Sequence, residues 1–534
     1  LSLMVDPQSY ENIEALRIVK SNFSDISHQM LLIILLSLIV ILYVIKALFL
    51  VFLTHKQNRF LSNITAFISN NLFKSYLNQE YSFHINRNAS ELIKNLQVEI
   101  SFLHTFMLSL ITICIEGGIV LAVIITLIYI EPIGAISVGI FFLTLSLVFF
   151  QFTKKKLNSW GELRQSLDAD VSRVAIEGLG GIKELLILDK TNFFIEKFID
   201  KNYSKARVNA NHGTISQMPR FFLELTTIFG LVGFIIIMTI QGKDVSTLIT
   251  TLGVFVAASF RMIPSLNRII AAFQSIKFYH PSVDIFYNEL SMYNNTVDSQ
   301  PCVESHFLSS EIRFSNVDFA YNKHLKVLNN INLDIKKGET VGFIGESGSG
   351  KSTFVDLIIG LHKPSNGKVY IDNDPNIITS KAWKRQIGYV TQSIYLIDDS
   401  ILNNIALGVP LDQIDHKRID QIIKHVQLEK FIKSLEHGIN TRTGERGVQL
   451  SGGQRQRIGI ARALYNDPEI LILDEATSAL DTDTELKVMK SISSLKGKKT
   501  IIIVTHRNST LKSCDKIYRI SNSVINSVIK ENVI

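Results

Sequence analysis

The sequence is poor in cysteine and has no cleavable signal peptide at its start. The three cysteines, Cys114, Cys302 and Cys514, follow no metal-binding or disulfide spacing. We therefore expect neither a disulfide framework nor a cysteine-ligated metal. The first residue is Leu1 rather than methionine, so we also expect that the chain is a fragment.

Five long stretches contain almost no charged residues, in a chain of which 46% is hydrophobic. They are Met30–Leu53, Phe102–Ile130, Pro132–Phe152, Phe221–Ile240 and Val245–Phe260. Crossing a bilayer takes roughly 20 apolar residues, so we predict five transmembrane helices, the last continuing past Arg261. Buried helices of a soluble protein are the alternative, which so many long runs in one chain disfavour.

The spacers between these runs alternate in length and in charge. The segments after the first and third runs are long and basic, whereas those after the second and fourth are short turns. Long basic segments favour the cytoplasmic side, so we place the short turns and Leu1–Gln29 outside. A weak apolar stripe in Leu1–Gln29 fits an amphipathic surface helix or a packed helix, and it could contact substrate. Because the basic residues lie beside the spans, we attribute the net charge of +7 to the orientation of the chain in the membrane. We therefore expect no nucleic-acid partner.

Four basic residues lie within or beside the spans: Lys46, Arg220, Arg261 and Arg268. A charge at mid-bilayer costs about 2.5–3.5 kcal/mol on insertion scales, so it tends to face a cavity or a partner. Arg261 and Arg268 are seven residues apart on one helix face, with Pro264 between them as an expected kink. For this pair we favour a functional role. The alternative for all four residues is snorkelling to the cytoplasmic headgroups or ion pairs with Glu116 or Glu224, and for Lys46 and Arg220 we weigh function and snorkelling equally.

The loop Gly345–Ser352 fits the phosphate-binding pattern G-x-x-x-x-G-K-[ST] without a mismatch. A buried strand is predicted before it and a helix after it, which makes a merely flexible turn a poor alternative. In such a loop Lys351 contacts the β- and γ-phosphates and Ser352 ligates Mg²⁺. We predict an ATP and Mg²⁺ site formed by Gly345, Glu346, Ser347, Gly348, Ser349, Gly350, Lys351, Ser352 and Thr353.

A second anion-binding helix end is predicted later in the chain. Its residues are Ser451, Gly452, Gly453 and Gln454, before a helix expected to begin near Arg455. An ordinary glycine-rich cap would explain this stretch alone, but the next apolar strand, 470–473, ends in two carboxylates. We predict that Asp474 holds Mg²⁺ through water and that Glu475 polarises the water that attacks the γ-phosphate.

Three further strand-end residues are candidates for the same site. Gln392 could reach Mg²⁺ or the attacking water, His506 could contact the γ-phosphate, and Tyr321 could stack on adenine. Each of these signals is weak by itself, because an isolated residue at a strand end is usually structural.

Taken together, these motifs resemble those of an ABC transporter ATPase in kind and order. Tyr321 resembles the A-loop, Gly345–Ser352 the Walker A motif, and Gln392 the Q-loop. Leu450–Gln454 resembles the signature, Asp474–Glu475 the Walker B motif, Ser478–Asp481 the D-loop and His506 the H-loop. The resemblance implies an active ATPase and a homodimer, with each ATP held between Walker A of one subunit and the signature of the other. Spans that precede the ATPase resemble an exporter half-transporter, which implies six spans, so we expect the first to be missing from this sequence. Coupling helices are expected near Gln79–His84 and Lys190–Glu196.

The predicted fold is therefore a polytopic α-helical transmembrane domain of the ABC exporter type, followed by an α/β P-loop ABC ATPase domain. We place the transmembrane domain at residues 1–290, a linker at 291–310 and the nucleotide-binding domain at 311–534.

A closer resemblance is clearest at Phe260–Ile270 and Phe278–His280 and extends along most of the chain, including Ile182–Leu188 and Gln392–Asn404. These stretches resemble the PglK family of bacterial flippases for lipid-linked oligosaccharides in protein N-glycosylation. The resemblance implies that Lys46, Arg220, Arg261 and Arg268 engage the diphosphate of the lipid, although the family has arginine at the position of Lys46.

It further implies ATP-driven flipping of a polyprenyl-diphosphate-linked oligosaccharide to the outer leaflet of the bacterial inner membrane, with the ATPase domain in the cytoplasm. The alternative is an exporter of another amphipath, such as a lipid A core, a drug or a peptide. The five spans oppose an ABC ATPase that works as a regulator or motor without transport. The position of the basic residues opposes one linked to nucleic acid.

Overall fold

The computed structural model describes residues 28–130, 132–240, 245–294, 308–321 and 326–529. The chain divides into two compact units. One contains residues up to Asn78 together with Arg87–Tyr293, and the other contains Gln79–Asn86 together with the residues from Asn294 onward. Most of the predicted outer segment Leu1–Gln29 and most of the predicted linker 291–310 lie outside the described residues.

Long helices make up the described part of the first unit. The helices up to residue 294 are α1 His28–Leu77, α2 Tyr81–Ile85, α3 Ala89–Lys94, α4 Ile100–Ile130, α5 Pro132–Gly180, α6 Ile182–Ile187, α7 Thr191–Ile240 and α8 Val245–Asn294. Each of the five predicted apolar runs lies in one long helix. At 1.5 Å per residue, a helix of 50 residues is about 75 Å long, so α1, α7 and α8 extend well beyond a bilayer core of about 30 Å.

Two described stretches are long and apolar enough to cross a membrane by length and composition. They are Leu36–Leu77 and Ala89–Thr126, whose most apolar 18-residue windows have mean hydropathies of 2.8 and 2.5. The first of them has none of its most apolar window buried within the protein, as a helix that faces lipid would.

Three short described helices, α2, α3 and α6, lie between the long ones. Helix α2 overlaps the segment Gln79–His84, and α6 precedes the segment Lys190–Glu196; the coupling role expected near these two segments stays a prediction. A Schellman cap follows α6: Asp189 adopts φ 52°, and the Lys190 N–H donates to the Leu185 carbonyl at 2.9 Å. This cap ends α6, and α7 begins directly afterwards at Thr191.

A buried ion network joins the start of α4 to α5 and α7. Arg164 is 1% exposed and Glu99 is fully buried, and their side chains approach to 3.6 Å. Arg164 also lies 3.6 Å from Asp168, which pairs with Lys205 at 2.6 Å. The guanidinium is 3.8 Å from the centroid of the Phe102 ring. Removing one partner of such a network leaves a buried charge uncompensated, at about 3–5 kcal/mol, so the network favours one arrangement of these helices.

The second unit contains two sheets. The strands are β1 Glu311–Ala320, β2 Lys326–Lys336, β3 Thr340–Gly345, β4 Asn366–Ile371, β5 Ile387–Val390, β6 Ile470–Asp474, β7 Thr500–Val504, β8 Lys516–Ser521 and β9 Val524–Val528. An antiparallel sheet has the order β2-β1-β4, and a six-stranded sheet has the order β5-β6-β7-β3-β8-β9. In the larger sheet only the β8–β9 pair is antiparallel.

Helices cover the larger sheet. They are α9 Lys351–Ile359, α10 Lys381–Arg385, α11 Ile401–Ile405, α12 His416–His425, α13 Glu429–Ser434, α14 Gly452–Tyr465, α15 Thr482–Ser493 and α16 Asn508–Leu511. Strands β6 and β7 are buried at every position, as expected for parallel strands covered on both faces. The carboxyl ends of β3, β5, β6 and β7 therefore meet at one edge, where open α/β sheets bind their ligands.

Candidate nucleotide-binding site

The phosphate loop connects the carboxyl end of β3 to the start of α9. Gly348 and Gly350 adopt φ of 80° and 102°, a left-handed conformation that glycine reaches without strain. At Gly345 a Cβ atom would lie 2.4 Å from the Ile520 carbonyl oxygen, so no side chain fits. The glycines of the motif thus allow the tight loop in which backbone N–H groups can face a phosphate chain.

Lys351 closes this loop. Its buried Nζ donates to the carbonyl oxygens of Gly345 and Glu346, both at 2.8 Å. Burial lowers the pKa of Lys351, while the nearby carboxylates of Glu475 and Asp474 oppose that shift. A phosphate oxygen in the loop would give the ammonium an anionic acceptor in place of two neutral carbonyls, which is the stronger interaction.

Asp474 and Ser352 form a pair of oxygen ligands suited to Mg²⁺. The Ser352 Oγ donates to Asp474 Oδ2 at 3.5 Å, and the Tyr389 hydroxyl donates to the same oxygen at 3.5 Å. Burial raises the pKa of Asp474, and the charge of Glu475 raises it further. A divalent cation would relieve this repulsion, so the residues present fit the metal that the sequence predicts.

Gln392, Glu475 and His506 are brought together, although 83 residues separate the first two. Gln392 Nε2 donates to Glu475 Oε2 at 2.9 Å, and His506 Nε2 lies 3.1 Å from Glu475 Oε1. The three follow the adjacent strands β5, β6 and β7. Glu475 adopts φ 50°, and its N–H donates to the Val504 carbonyl at 2.9 Å, which fixes the turn after β6. A carboxylate held in this way can accept a proton from an attacking water.

Tyr321 lies beside the first turn of α9. Its hydroxyl is 3.1 Å from Thr353 Oγ1, and 49% of the residue is exposed. A half-exposed ring anchored at its hydroxyl end can present one face to a base. The adenine-stacking role of Tyr321 stays a prediction.

The second predicted anion-binding segment, Ser451–Gln454, forms the N-terminal cap and first turn of helix α14. Ser451 Oγ accepts from the Gln454 N–H at 3.2 Å, and Gln454 Oε1 accepts from the Ser451 N–H at 2.8 Å, which forms a capping box. The helix begins at Gly452 rather than near Arg455. Gly452 and Gln392 line the same surface cavity of about 530 Å³. Within the described part of the chain, no hydrogen bond or ion pair joins Ser451–Gln454 to the phosphate loop.

Three residues near the site were not predicted from the sequence. Tyr389 contacts Asp474, and burial together with the charge of Asp474 raises the pKa of Asp356 to about 6. Gln456 donates to Ser478 Oγ at 2.9 Å and accepts from the Ala479 N–H at 2.9 Å, so it ties α14 to the turn after Glu475. Of these, only Gln456 had a sequence signal, since it lies two residues after the signature; Tyr389 looks like an ordinary strand residue in the sequence.

Two of the four predicted substrate residues form ion pairs with the carboxylates that the sequence offered as alternatives. Arg220 Nε lies 3.0 Å from Glu224 Oε1, and Arg268 Nε lies 2.8 Å from Glu116 Oε1. The Lys46 ammonium lies 5.1 Å from the Tyr43 ring centroid. Arg261 is exposed and has no ion pair with any described residue. Among the described residues, no hydrogen bond joins these four side chains to one another.

Two family models match the chain. The model of the ABC transporter transmembrane region matches residues 15–258, and the ABC transporter model matches residues 328–478. The second match contains the phosphate loop, the signature and both strand-end carboxylates. ATP with Mg²⁺ is the standard cofactor of this domain.

Several proteins of known sequence are similar to the chain. An uncharacterized ABC transporter ATP-binding protein of Bacillus subtilis, YwjA, is 33% identical over 387 residues, which are 70% of this chain and 65% of that protein. An ATP-dependent lipid A-core flippase of Francisella tularensis is 33% identical over 383 residues, 69% of this chain and 61% of the flippase. The alpha-hemolysin translocation ATP-binding protein HlyB of Proteus vulgaris is 45% identical over 215 residues, 39% of this chain and 30% of HlyB. The chain thus spans less than two thirds of the length of these relatives.

A solved structure shares the fold. A bacterial Atm1-family ABC exporter with ATP bound matches with a TM-score of 0.77 at 22% identity, covering 88% of this chain and 83% of the exporter. The predicted fold class is confirmed: a helical ABC transporter transmembrane region precedes an α/β ATPase domain. The two family matches place an ABC transporter transmembrane region before an ABC transporter ATPase domain in this chain, which is the domain order of an exporter half-transporter.

Proposed function

We propose that the chain forms one half of a homodimeric, ATP-driven flippase. It would move a polyprenyl-diphosphate-linked oligosaccharide from the cytoplasmic to the outer leaflet of the bacterial inner membrane. The observation that best supports ATP hydrolysis is the contact of Gln392 and His506 with Glu475 at the strand edge that also carries the phosphate loop.

Each site residue would have a defined role in hydrolysis. Lys351 would neutralise the β- and γ-phosphates, and Ser352 and Asp474 would hold Mg²⁺, which supplies the positive charge that such a transfer needs. Glu475 would polarise the attacking water, oriented by its contacts with Gln392 and His506. Positioning and charge neutralisation account for most of the catalysis in phosphoryl transfer, and these side chains supply both.

Two phosphate-binding helix ends on one chain support a dimer. The phosphate loop begins α9, the segment Ser451–Gln454 begins α14, and no described contact joins them. We propose that ATP is bound between the phosphate loop of one subunit and Ser451–Gln454 of the other. Closure of the two ATPase domains on ATP, followed by hydrolysis and release, would then drive alternating access.

The substrate proposal rests on charge in the transmembrane region. A diphosphate and a glycan cannot cross hydrocarbon unaided, because no polar group there satisfies them. Among the four predicted substrate residues, Arg261 supports the proposal most directly, since its guanidinium is exposed and has no described carboxylate partner. The likeness to a protein named as a lipid A-core flippase supports a lipid substrate in general. It equally supports the alternative, an exporter of another amphipath such as a lipid A core, a drug or a peptide.

Transport assays in proteoliposomes test the proposal. Full-length protein should translocate a polyprenyl-diphosphate oligosaccharide in an ATP-dependent manner, and a lipid that differs only in having a monophosphate should move more slowly. Stimulation of hydrolysis by drugs or by lipid A core, without movement of the diphosphate lipid, would favour the alternative.

Arg261→Ala should lower the number of lipids moved per ATP hydrolysed. It is a cleaner probe than Arg268→Ala, which also leaves the largely buried Glu116 unpaired. Arg59→Ala is the matched control, because Arg59 is an exposed arginine of α1 outside the predicted spans. If Arg261→Ala leaves the number of lipids moved per ATP hydrolysed unchanged, Arg261 only snorkels to the headgroups and does not bind substrate.

A further inference from the structure

The end of helix α9 places His362 beside the adenine-stacking candidate. Gly360 caps the helix with φ 74°, and a Cβ there would lie 2.0 Å from the Ile378 carbonyl oxygen. The N–H groups of Leu361 and His362 donate back to the Asp356 carbonyl at 2.9 and 3.4 Å. This turn reverses the chain directly after the helix that follows the phosphate loop, and it holds the backbone of His362 in place.

His362 is the centre of an aromatic cluster. The residue is 8% exposed, and its ring centroid lies 5.0 Å from that of Phe319, 5.5 Å from that of Tyr321 and 5.6 Å from that of Tyr81. Phe319 and Tyr321 also meet edge to face at 5.0 Å. One buried ring therefore contacts both the proposed adenine platform, Tyr321, and the first residue of helix α2, Tyr81.

Helix α2 belongs to this compact unit, although it lies far away in the sequence. The segment Gln79–Asn86 groups with the ATPase residues, whereas the chain on either side of it belongs to the helical unit. Glu80 and Lys363 also form an ion pair at 2.6 Å, but both side chains are mostly exposed, so water screens it. The aromatic contact of Tyr81 with the buried His362 can transmit a displacement of α2.

Burial disfavours a positive charge on this histidine. It lowers the pKa of His362, and the ring Nε2 has no hydrogen-bond partner among the described residues. The contacts of the ring are those of an aromatic group, so phenylalanine is its conservative substitute.

We infer that His362 is a positioning residue that joins helix α2 to the nucleotide site by packing against both Tyr321 and Tyr81. Helix α2 is continuous in the chain with α1 and α3 of the helical unit, so a movement of those helices reaches Tyr81 directly. Displacement of Tyr81 would remove a packing contact of the His362 ring. The His362 ring would then hold the Tyr321 ring less firmly in the orientation that stacks on adenine. The inference rests on the proposed ATP binding and adds a route by which the helical unit sets ATP affinity.

Two ligands separate this role from a merely structural one. ATP uses both the phosphate loop and Tyr321, whereas inorganic tripolyphosphate has no base and uses only the phosphate loop. We would titrate both, with Mg²⁺, into full-length protein in lipid nanodiscs. His362→Ala and Tyr81→Ala should each weaken ATP binding by about two- to tenfold, the range expected from one aromatic contact, and should leave tripolyphosphate binding unchanged.

Three further variants sharpen the test. His362→Phe should bind ATP like the wild type, because it keeps the ring. The double variant Tyr81→Ala with His362→Ala should lose no more affinity than His362→Ala alone, since both act through one contact. His416→Ala, an exposed histidine at the start of α12, should change neither titration.

Equal losses for ATP and tripolyphosphate in His362→Ala would overturn the inference, because they would indicate general damage to the domain. ATP binding that stays at the wild-type level in Tyr81→Ala would remove the link to α2, and additive losses in the double variant would do the same. A wild-type protein that binds tripolyphosphate but not ATP, or neither, would instead contradict the proposed function.

Discussion

Replacing Glu475 by glutamine should separate ATP binding from ATP hydrolysis. The carboxylate accepts from Gln392 Nε2 at 2.9 Å, and its other oxygen lies 3.1 Å from His506 Nε2. Glutamine has the same shape and keeps one acceptor oxygen for Gln392. The geometry of the site should therefore persist, and the loss is confined to the negative charge that would accept a proton from water.

The magnitude follows from that single loss. A positioned general base contributes about a hundred- to ten-thousand-fold to a rate, which corresponds to about 3–5.5 kcal/mol of transition-state stabilisation.

The same substitution should also change the pKa of Asp474. Burial and the charge of Glu475 both raise the pKa of Asp474, so Glu475→Gln should lower that pKa toward its ordinary value. Asp474 would then stay ionised at lower pH, and Mg²⁺-dependent ATP binding should extend further into the acid range.

The assay compares phosphate release with direct ATP titration of the full-length protein. Glu469→Gln is the matched control: Glu469 directly precedes β6, whereas Glu475 directly follows it, and it pairs with Lys499 at 3.7 Å outside the nucleotide site. The control should hydrolyse ATP at a rate near that of the wild type. Hydrolysis by Glu475→Gln within tenfold of the wild type would refute the assignment of Glu475 as the base. Loss of ATP binding in this variant would refute the argument that the geometry persists.

Three other substitutions test the site and its support. Lys351→Ala should weaken ATP binding about 10- to 100-fold by titration, because it removes a charge-assisted contact to phosphate; unchanged affinity would contradict that role. Gly360→Ala should destabilise the protein by about 2–5 kcal/mol, since it combines a left-handed φ of 74° with a backbone clash, and thermal unfolding would detect this. The pKa of Asp356 is raised to about 6 by burial and by Asp474, so ionisation lowers stability as pH rises from about 4 to about 6. Asp356→Asn should therefore raise the unfolding temperature at pH 7 but not below pH 4; an equal change at both pH values would contradict this reasoning.

The local motifs were predictable because each depends on a few neighbouring residues. The strand, loop and helix around Gly345–Ser352 follow from alternation of apolar residues, two left-handed glycines and a lysine at a set spacing. The helical character of the five apolar runs follows from their length and lack of charge. The same reasoning does not locate the end of helix α6, because a cap formed by a non-glycine residue, Asp189, gives no strong sequence signal.

Side-chain partners in the helical unit could not be predicted, only offered as alternatives. Arg220 pairs with a residue four positions away, which a helix makes geometrically possible but does not require. Arg268 pairs with Glu116 on another helix, and no sequence pattern specifies such a pair. The buried network around Arg164 gave no signal at all, since its charged residues read as ordinary members of a basic cytoplasmic segment.

The sequence alone determined that this chain carries a phosphate loop, a signature segment and two strand-end carboxylates after a series of apolar helices. These features are local, and their chemistry depends on residue type and short spacing. Only the tertiary structure decided which of them meet. The strand order β5-β6-β7-β3 brings Gln392, Glu475 and His506 to one edge of the sheet, and the chain reversal at Gly360 places His362 between Tyr321 and Tyr81. Such contacts depend on how distant strands pair and how a helix ends, which the spacing of residues along the chain does not specify.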